Sequence, residues 1–188
     1  MAKLPQVDPA SSPDVAAAFA HIEASRGYVS NLMRCLLHSP AAAKAHGTYG
    51  HFMRFETDLT ERQRELVICA TVRGVPYGWA HHGQLLAQLG MSPAQMAELK
   101  DGKVPQGLPA EEQALCAYTF AFTACGGLSD DVLDAARRHF SDKQIVDASL
   151  LSAYFMGGGA VITAFAPELD PPDSMRAERE WQTGRPHR

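Results

Sequence analysis

Apolar residues recur every three or four positions along most of the chain, the spacing that gathers them on one face of an α-helix. Leu115, Tyr118 and Phe122 illustrate the pattern in one segment. No segment shows the sustained alternation of apolar and polar residues that is typical of a half-buried strand. The hydrophobic pattern therefore predicts an all-α protein.

Capping residues mark the ends of several predicted helices. Ser12 followed by Pro13 fits an N-cap and a first helical position, and Gly27 fits a C-cap. Three further pairs have the capping-box spacing, namely Thr60 with Gln63, Ser92 with Gln95, and Ser141 with Gln144. These signals predict helices at residues 13–26, 29–38, 40–56, 60–73, 78–90, 92–100, 110–125, 129–139 and 142–165.

Short connections join the predicted helices, so neighbouring helices are expected to pack as hairpins in one multi-helix domain. This domain spans residues 13–166, with N-terminal helices in 13–56 and a core in 57–166. Residues 1–12 are interpreted as an N-terminal extension. The polar, proline-rich tail 167–188 is expected to be loose unless it docks on another subunit.

Two predicted helices are apolar over most of their circumference, at 60–73 and 142–165. A helix that is apolar on most sides belongs in the middle of a protein, so both are expected to be central. Three consecutive glycines, at 157–159, would weaken an isolated helix. They predict a close helix approach or a break at that point.

The composition is that of a soluble globular protein, with 46% hydrophobic and 20% charged residues among 188. The net charge is −4 and the basic residues are scattered, which predicts no nucleic-acid partner. The four cysteines lack C-x-x-C spacing and lie within apolar runs, as reduced, buried thiols do. No signal-peptide-like start and no uninterrupted run of about 18 apolar residues is seen, so a cytoplasmic protein without a membrane partner is expected.

The segment VPYGWAHH joins two predicted helices into an αα-hairpin, and its turn lies at Val75. Counting from the turn at about 1.5 Å per residue estimates how deep each residue lies in the hairpin. His82 lies seven positions along one arm and Cys69 six positions back along the other. Glu65 lies ten positions back, a mismatch that a glutamate side chain can span, whereas Glu61 is one further turn away. The count predicts that Glu65 is the partner of His82.

A histidine held by a buried carboxylate has a fixed tautomer and can transfer a proton near neutral pH. Tyr77 and Trp79, at the mouth of the turn, could line a pocket beside the pair, with the Tyr77 hydroxyl as a hydrogen-bond donor. Ordinary packing is the alternative interpretation for each of these residues. Adjacent His81 and His82 point about 100° apart on a helix, which disfavours a shared metal ion. No metal and no cofactor are expected.

The segment LTERQRELVICATVRGVPYGWAHH resembles the signature hairpin of the carboxymuconolactone decarboxylase-like superfamily, which includes the alkylhydroperoxidase D-like proteins. Many members have a Leu-Thr-x-x-x-Arg-Glu helix followed by a Tyr-x-Trp-Ala-His-His segment. The matching residues are Leu59, Thr60, Arg64, Glu65, Tyr77, Gly78, Trp79, Ala80, His81 and His82. The resemblance extends over roughly residues 15–172.

The resemblance implies an all-helical fold that assembles into homo-oligomers, as trimers or hexamers, with a site near a subunit boundary. In the peroxidase branch a C-x-x-C pair precedes the histidine. Its two cysteine positions fall on Val75 and Gly78, and its histidine falls on His82. Both thiols are missing, so a C-x-x-C thiol–disulfide cycle is not available. The glutamate of that branch falls on Glu65 if a gap lies within the helix, or near Gln63 by simple counting.

Three functions are compatible with these features. The decarboxylase branch acts without cofactor or metal on a small carboxylated lactone, and by this resemblance the chain is expected to transfer protons on a small-molecule substrate of that kind. A peroxidase-like redox protein that uses Cys69 is the first alternative, and a non-catalytic module that binds a small ligand or supports assembly is the second. The candidate catalytic residues are His82, Glu65 and Tyr77, and the candidate pocket residues are Trp79, Cys69 and His81.

Overall fold

The computed structural model describes residues 2–183, which form ten α-helices and no strand. The helices are α1 (Pro13–Arg26), α2 (Asn31–Leu36), α3 (Pro40–Phe55), α4 (Glu61–Val72), α5 (Pro76–Gln88), α6 (Pro93–Lys100), α7 (Ala110–Thr123), α8 (Asp130–Arg137), α9 (Asp142–Phe165) and α10 (Pro172–Thr183). The all-α prediction is confirmed. The last five residues of the predicted tail lie outside the described residues.

The predicted capping residues set the helix ends. The side chain of Ser12 accepts a hydrogen bond from the first turn of α1, and Gly27 ends that helix with a φ of 72°. Both capping-box hydrogen bonds are present at the pairs that begin with Thr60, Ser92 and Ser141. Nine of the ten helices therefore follow the predicted map, with ends that differ by no more than two residues.

The chain divides into two compact units, one of which contains the residues up to Glu56 and those from Val161 onward. In this unit α1 packs on α3, and α2 and α10 pack on α3 and α1 respectively. Its core consists of small and medium apolar side chains, namely Val15, Ala18, Ile22, Val29, Met33, Leu37 and Ala43.

The tail contacts the N-terminal helices of its unit through Asp170. The Asp170 carboxylate is buried and accepts hydrogen bonds from the Tyr28 hydroxyl and, at 2.8 Å, from the Asn31 backbone N–H. Burial and this bond raise the pKa of Tyr28 to about 12. Pro172 then begins α10, because a proline is well accommodated in the first turn of a helix. The expectation that the tail is loose unless it docks on another subunit stays a prediction.

The second unit, Thr57–Ala160, has α4 at its centre. Residues 65–70 are buried one after another, which requires neighbours on every side of the helix. These neighbours are α5, α6 and α7, and α8 packs on α7. The prediction that this helix is central is confirmed.

Helix α9 differs from its prediction, because one side of it is exposed. Val146 is 53% exposed and Leu150 41%, whereas Leu151 and Ser152 are fully buried. The three glycines do not break the helix, and at Gly159 an added Cβ would lie 3.2 Å from Val75. Among the described helices, α9 has the length and composition to cross a membrane, a test that the core helix of a soluble protein also passes.

Candidate proton-transfer site

The site is built on the hairpin of α4 and α5, which only three residues separate. The backbone N–H of Val75 donates to the Val72 carbonyl at 2.8 Å, which tightens the reversal directly after α4. Pro76 occupies the first position of α5, so this helix begins two residues before the predicted start. The short turn fixes the relative depth of residues on the two helices.

Glu65 and His82 meet across this hairpin. The Nδ1 atom of His82 lies 2.9 Å from the Oε2 atom of Glu65. Glu65 is 6% exposed and His82 is 8% exposed, so the hydrogen bond is shielded from water. Because a carboxylate only accepts, Nδ1 must carry the proton, and the bond thereby assigns the tautomer. The other ring nitrogen, Nε2, takes no part in this bond.

Phe155 of α9 packs against the same imidazole, a contact that the sequence analysis missed. The two ring centroids are 5.0 Å apart and the rings are nearly perpendicular, at 88°. No periodicity or motif indicates which side of α9 faces the hairpin, because the two are far apart in sequence. His82 is therefore contacted from α4 and from α9.

Tyr77 and His81 form a separate pair on α5. Their rings stack with centroids 4.7 Å apart and an angle of 26° between the planes. Positions 77 and 82 are about 140° apart around a helix, so Tyr77 leaves α5 on a different side from His82. Tyr77 is 8% exposed. Its role as a proton or hydrogen-bond donor in the site stays a prediction.

Trp79 faces α6. The Nζ atom of Lys100 lies 5.3 Å from the Trp79 ring, a cation–π distance. Gly83 allows the indole to lie close to α5, because a Cβ at position 83 would be 3.3 Å from the Trp79 ring atoms. These contacts give Trp79 a packing role between two helices, and its place in a substrate pocket stays a prediction.

Cys69 lies one turn from Glu65 on α4 and is fully buried. Burial raises the pKa of its thiol well above the usual value, and the negative charge of Glu65 raises it further. The thiolate is the nucleophilic form of cysteine, so this environment suppresses reactivity. Cys69 has the properties of a small apolar core residue.

Apolar packing occupies the two positions where the peroxidase branch has cysteines. A Cβ at Gly78 would lie 3.0 Å from the Cβ of Val72. The Val75 side chain lies against Gly159 of α9, where an added Cβ would be 3.2 Å from its Cγ2. The close packing at position 78 leaves no space for even a short side chain without movement of Val72.

Within residues 2–183, no group of three or more histidine, cysteine, aspartate or glutamate side chains is placed to hold a metal ion. Glu65 and His82 are two candidate ligands, and a catalytic zinc site uses three. What the pair can do with its own atoms is accept a proton at Nε2 and return it, with the Glu65 charge stabilising the imidazolium in between.

Comparisons with solved structures place this architecture in the alkylhydroperoxidase D-like fold. A peroxidase-related protein with an AhpD core from Ralstonia eutropha JMP134 superposes with a TM-score of 0.76 at 19% identity, covering 95% of this chain and 96% of that chain. A peroxidase-related protein from Silicibacter sp. TM1040 superposes with a TM-score of 0.73 at 18% identity, covering 92% of each chain.

A third similar structure is a variant of the debrominase Bmp8 in complex with 2,3,4-tribromopyrrole, with a TM-score of 0.73 at 14% identity, covering 95% of this chain and 96% of that chain. No family model matches the sequence, and a search of curated proteins finds no match. At these identities the likeness shows the fold alone, so the resemblance seen in the hairpin sequence is confirmed as a fold. The chemistry must be argued from the site.

Proposed function

We propose that this protein is a cofactor-independent enzyme that transfers a proton on a small carboxylated metabolite, of the lactone or enol type. His82 Nε2 is the base that removes a proton from an acidic C–H, and the resulting imidazolium returns it. Glu65 is the positioning residue that fixes the tautomer of His82 and stabilises its charged form. The buried 2.9 Å bond between His82 Nδ1 and Glu65 Oε2 is the observation that carries this proposal.

The burial of this pair supports a chemical role over a purely structural one. A charged carboxylate with little exposure is expensive to desolvate, and one hydrogen bond to a neutral imidazole only partly offsets that cost. Proton transfer by a positioned side chain contributes roughly 10²–10⁴-fold in rate, which sets the effect expected when His82 is removed.

The peroxidase alternative requires a reactive thiol near His82. Cys69 lies one turn from Glu65 on α4, but its burial and raised pKa disfavour the thiolate. A dithiol cycle would also need a second sulfur, and positions 75 and 78 carry valine and glycine. These observations are why proton transfer is proposed first. Two proteins of similar fold are described as peroxidase-related, so the peroxidase alternative should be assayed directly.

Solvent exchange tests the proposal without knowledge of the natural substrate. Carboxylated lactones and keto acids are incubated with the protein in deuterated water, and NMR follows deuterium incorporation and loss of carbon dioxide. We expect incorporation that falls by roughly 10²–10⁴-fold in His82→Ala. His38→Ala, which removes an exposed histidine on a different part of the chain, is the matched control and should keep full activity.

Three outcomes would overturn the assignment. Hydroperoxide consumption that depends on a thiol reductant and disappears in Cys69→Ser would favour the peroxidase alternative. Saturable ligand binding without exchange or turnover across the panel would favour the non-catalytic module. Activity that survives in His82→Ala would remove His82 from the mechanism.

Homo-oligomerisation in the cytoplasm is the second part of the proposal. The exposed residues of α9 include Val146, Leu150, Ala153 and Gly157, which recur with the spacing of a helix–helix seam. An exposed apolar stripe of this kind marks an interaction surface on a soluble protein. A second copy of the chain, in a trimer or hexamer, is the proposed partner.

A further inference from the structure

The hydrogen bond to Glu65 holds the His82 imidazole at Nδ1. A bond to one atom does not fix the tilt of the rest of the ring. The torsion that rotates an imidazole about its Cβ–Cγ bond is broad and roughly two-fold. A small rotation would redirect Nε2 while the bond to Glu65 persists, and a larger one would take Nδ1 out of reach of Glu65. A second contact is needed if Nε2 is to stay in one place.

Phe155 supplies that second contact. Its ring is perpendicular to the imidazole at a centroid distance of 5.0 Å, the edge-to-face arrangement that aromatic pairs favour. Such a contact is lost when the imidazole plane tilts away from the perpendicular arrangement. Tyr154 contacts the Phe155 ring in turn, with centroids 5.3 Å apart and an angle of 82°.

The backbone around Phe155 is well held, so the contact is made from a rigid support. Leu151, one turn earlier on α9, is fully buried, and Gly159, one turn later, lies against Val75 of the hairpin turn. The Ser149 hydroxyl is 2.7 Å from the Tyr118 hydroxyl on α7. These contacts fix the part of α9 that faces the hairpin.

We propose that Phe155 is a positioning residue for proton transfer, which packs against the His82 ring and keeps Nε2 aimed at the substrate. The proposal rests on the proposed function of His82. Glu65 fixes which nitrogen carries the proton only while the ring stays beside it, and Phe155 keeps the ring in that place, so loss of Phe155 affects both the tautomer and the direction of Nε2. Misplacement of a reacting group by about 1 Å can lower a rate by roughly 10²-fold, so a contact of this kind affects the rate strongly.

NMR of the histidine ring nitrogens tests the orientation without a substrate. Protein labelled with ¹⁵N in its eight histidines is compared with His82→Gln, which identifies the His82 signals by their loss. At a pH where the ring is neutral, we expect a single tautomer with the proton on Nδ1. Phe155→Leu should give a mixture of tautomers, and Phe155→Tyr, which keeps the ring, should restore the single tautomer.

Phe140→Leu is the matched control, because Phe140 is a buried phenylalanine in the same unit, at 6% exposure. It should lower stability and leave the His82 tautomer unchanged. If Phe155→Leu does not fold, Phe155→Met fills the space with a more adaptable side chain and carries the same expectation. A single Nδ1–H tautomer in the ringless variants, or a mixture in Phe140→Leu as well, would overturn the proposal.

Kinetics provide the second measurement once a substrate is found by solvent exchange. Phe155→Leu should lower kcat by roughly 10–10²-fold with little change in KM, because the loss is in orientation and not in binding. An unchanged kcat would contradict the positioning role. Full activity of His82→Ala would instead overturn the proposed function, while the tautomer result would still report on Phe155.

Discussion

Gly78 packs so closely against Val72 that a Cβ at position 78 would lie 3.0 Å from the Cβ of that valine. This distance is tighter than nine in ten real Cβ contacts, so Val72 would have to shift by a few tenths of an ångström. Val72 is branched and fully buried, which makes such a shift costly. Position 78 is one of the two where the peroxidase branch has its sulfurs. The hairpin of this chain is therefore packed in a way that a cysteine there would disturb.

Gly78→Ala is expected to destabilise the protein, by about 1–3 kcal/mol, because the new methyl group overpacks the space beside Val72. Chemical denaturation measures the change. Gly74→Ala is the matched control, since a Cβ at position 74 meets nothing within 4 Å. Val72→Ala should lower the free energy of unfolding less in the Gly78→Ala protein than in the unmodified protein, because it removes the clash. Equal losses in the two proteins would contradict the clash.

The Glu65–His82 pair is expected to act as one unit in catalysis. His82→Ala should lower kcat by roughly 10²–10⁴-fold, and Glu65→Gln should lower it less, because the amide can still hold the ring but lacks the charge that stabilises an imidazolium. The double variant should be little worse than His82→Ala alone. If the kcat losses of the two single variants multiply in the double variant, Glu65 does not act through His82.

The sequence predicts the Glu65–His82 contact because both residues lie on one hairpin with a three-residue turn. Within such a hairpin, depth follows from counting at about 1.5 Å per residue, so the argument needs no tertiary information. The caps at Ser12 and Thr60 were predictable for the same reason, since each is decided by residues within one turn.

The rest of the site depends on which faces meet between helices that are distant in sequence. Phe155 contacts His82 from 73 residues away, and no local pattern indicates that side of α9. Trp79 turns toward Lys100 for a similar reason, because the direction of α6 follows from packing. Helix α10 was missed because its sequence is polar and has few apolar residues.

Arg62 joins three helices of the second unit, and its replacement by lysine is expected to reduce stability. Its guanidinium bonds both oxygens of Glu112, at 2.6 and 2.9 Å, and the Leu89 carbonyl at 2.6 Å. A lysine cannot reproduce this forked geometry. The free energy of unfolding should fall by about 1–3 kcal/mol, because Glu112 is buried and its carboxylate would lose one of its hydrogen-bond donors.

Lys103 provides the control for the Arg62 prediction. Its ion pair with Asp101 has a distance of 3.4 Å, and both side chains are mostly exposed. Lys103→Ala should therefore change the free energy of unfolding by less than about 1 kcal/mol. Equal effects of the two substitutions in denaturant titrations would contradict the role assigned to Arg62.

The first unit is expected to lose stability in mild acid through His46. Burial, and secondly the charge of Arg26, lower the pKa of His46 from 6.5 to about 4. Between these values the unfolded chain binds a proton that the folded protein does not, so the free energy of unfolding falls as pH drops from 6.5 toward 4. Thermal unfolding across this range should be less pH-dependent in His46→Gln, and an unchanged slope would exclude His46 as the cause.

A charge on the exposed side of α9 is expected to break the proposed oligomer. Leu150 is 41% exposed and follows Val146, which is 53% exposed, one turn earlier on the helix. A glutamate at position 150 would place a charge in a helix–helix seam, where an unpaired charge is costly to desolvate. Sedimentation should show an oligomer for the unmodified chain and a monomer for Leu150→Glu.

Leu169→Glu makes the same chemical change at a leucine that is 56% exposed and lies outside α9. It should leave the oligomer intact, which separates loss of the seam from a general effect of added charge. Folding of both variants can be checked by their helical circular dichroism. A Leu150→Glu protein that keeps its full sedimentation coefficient would exclude this side of α9 as the interface, and a monomeric unmodified chain would exclude the oligomer itself.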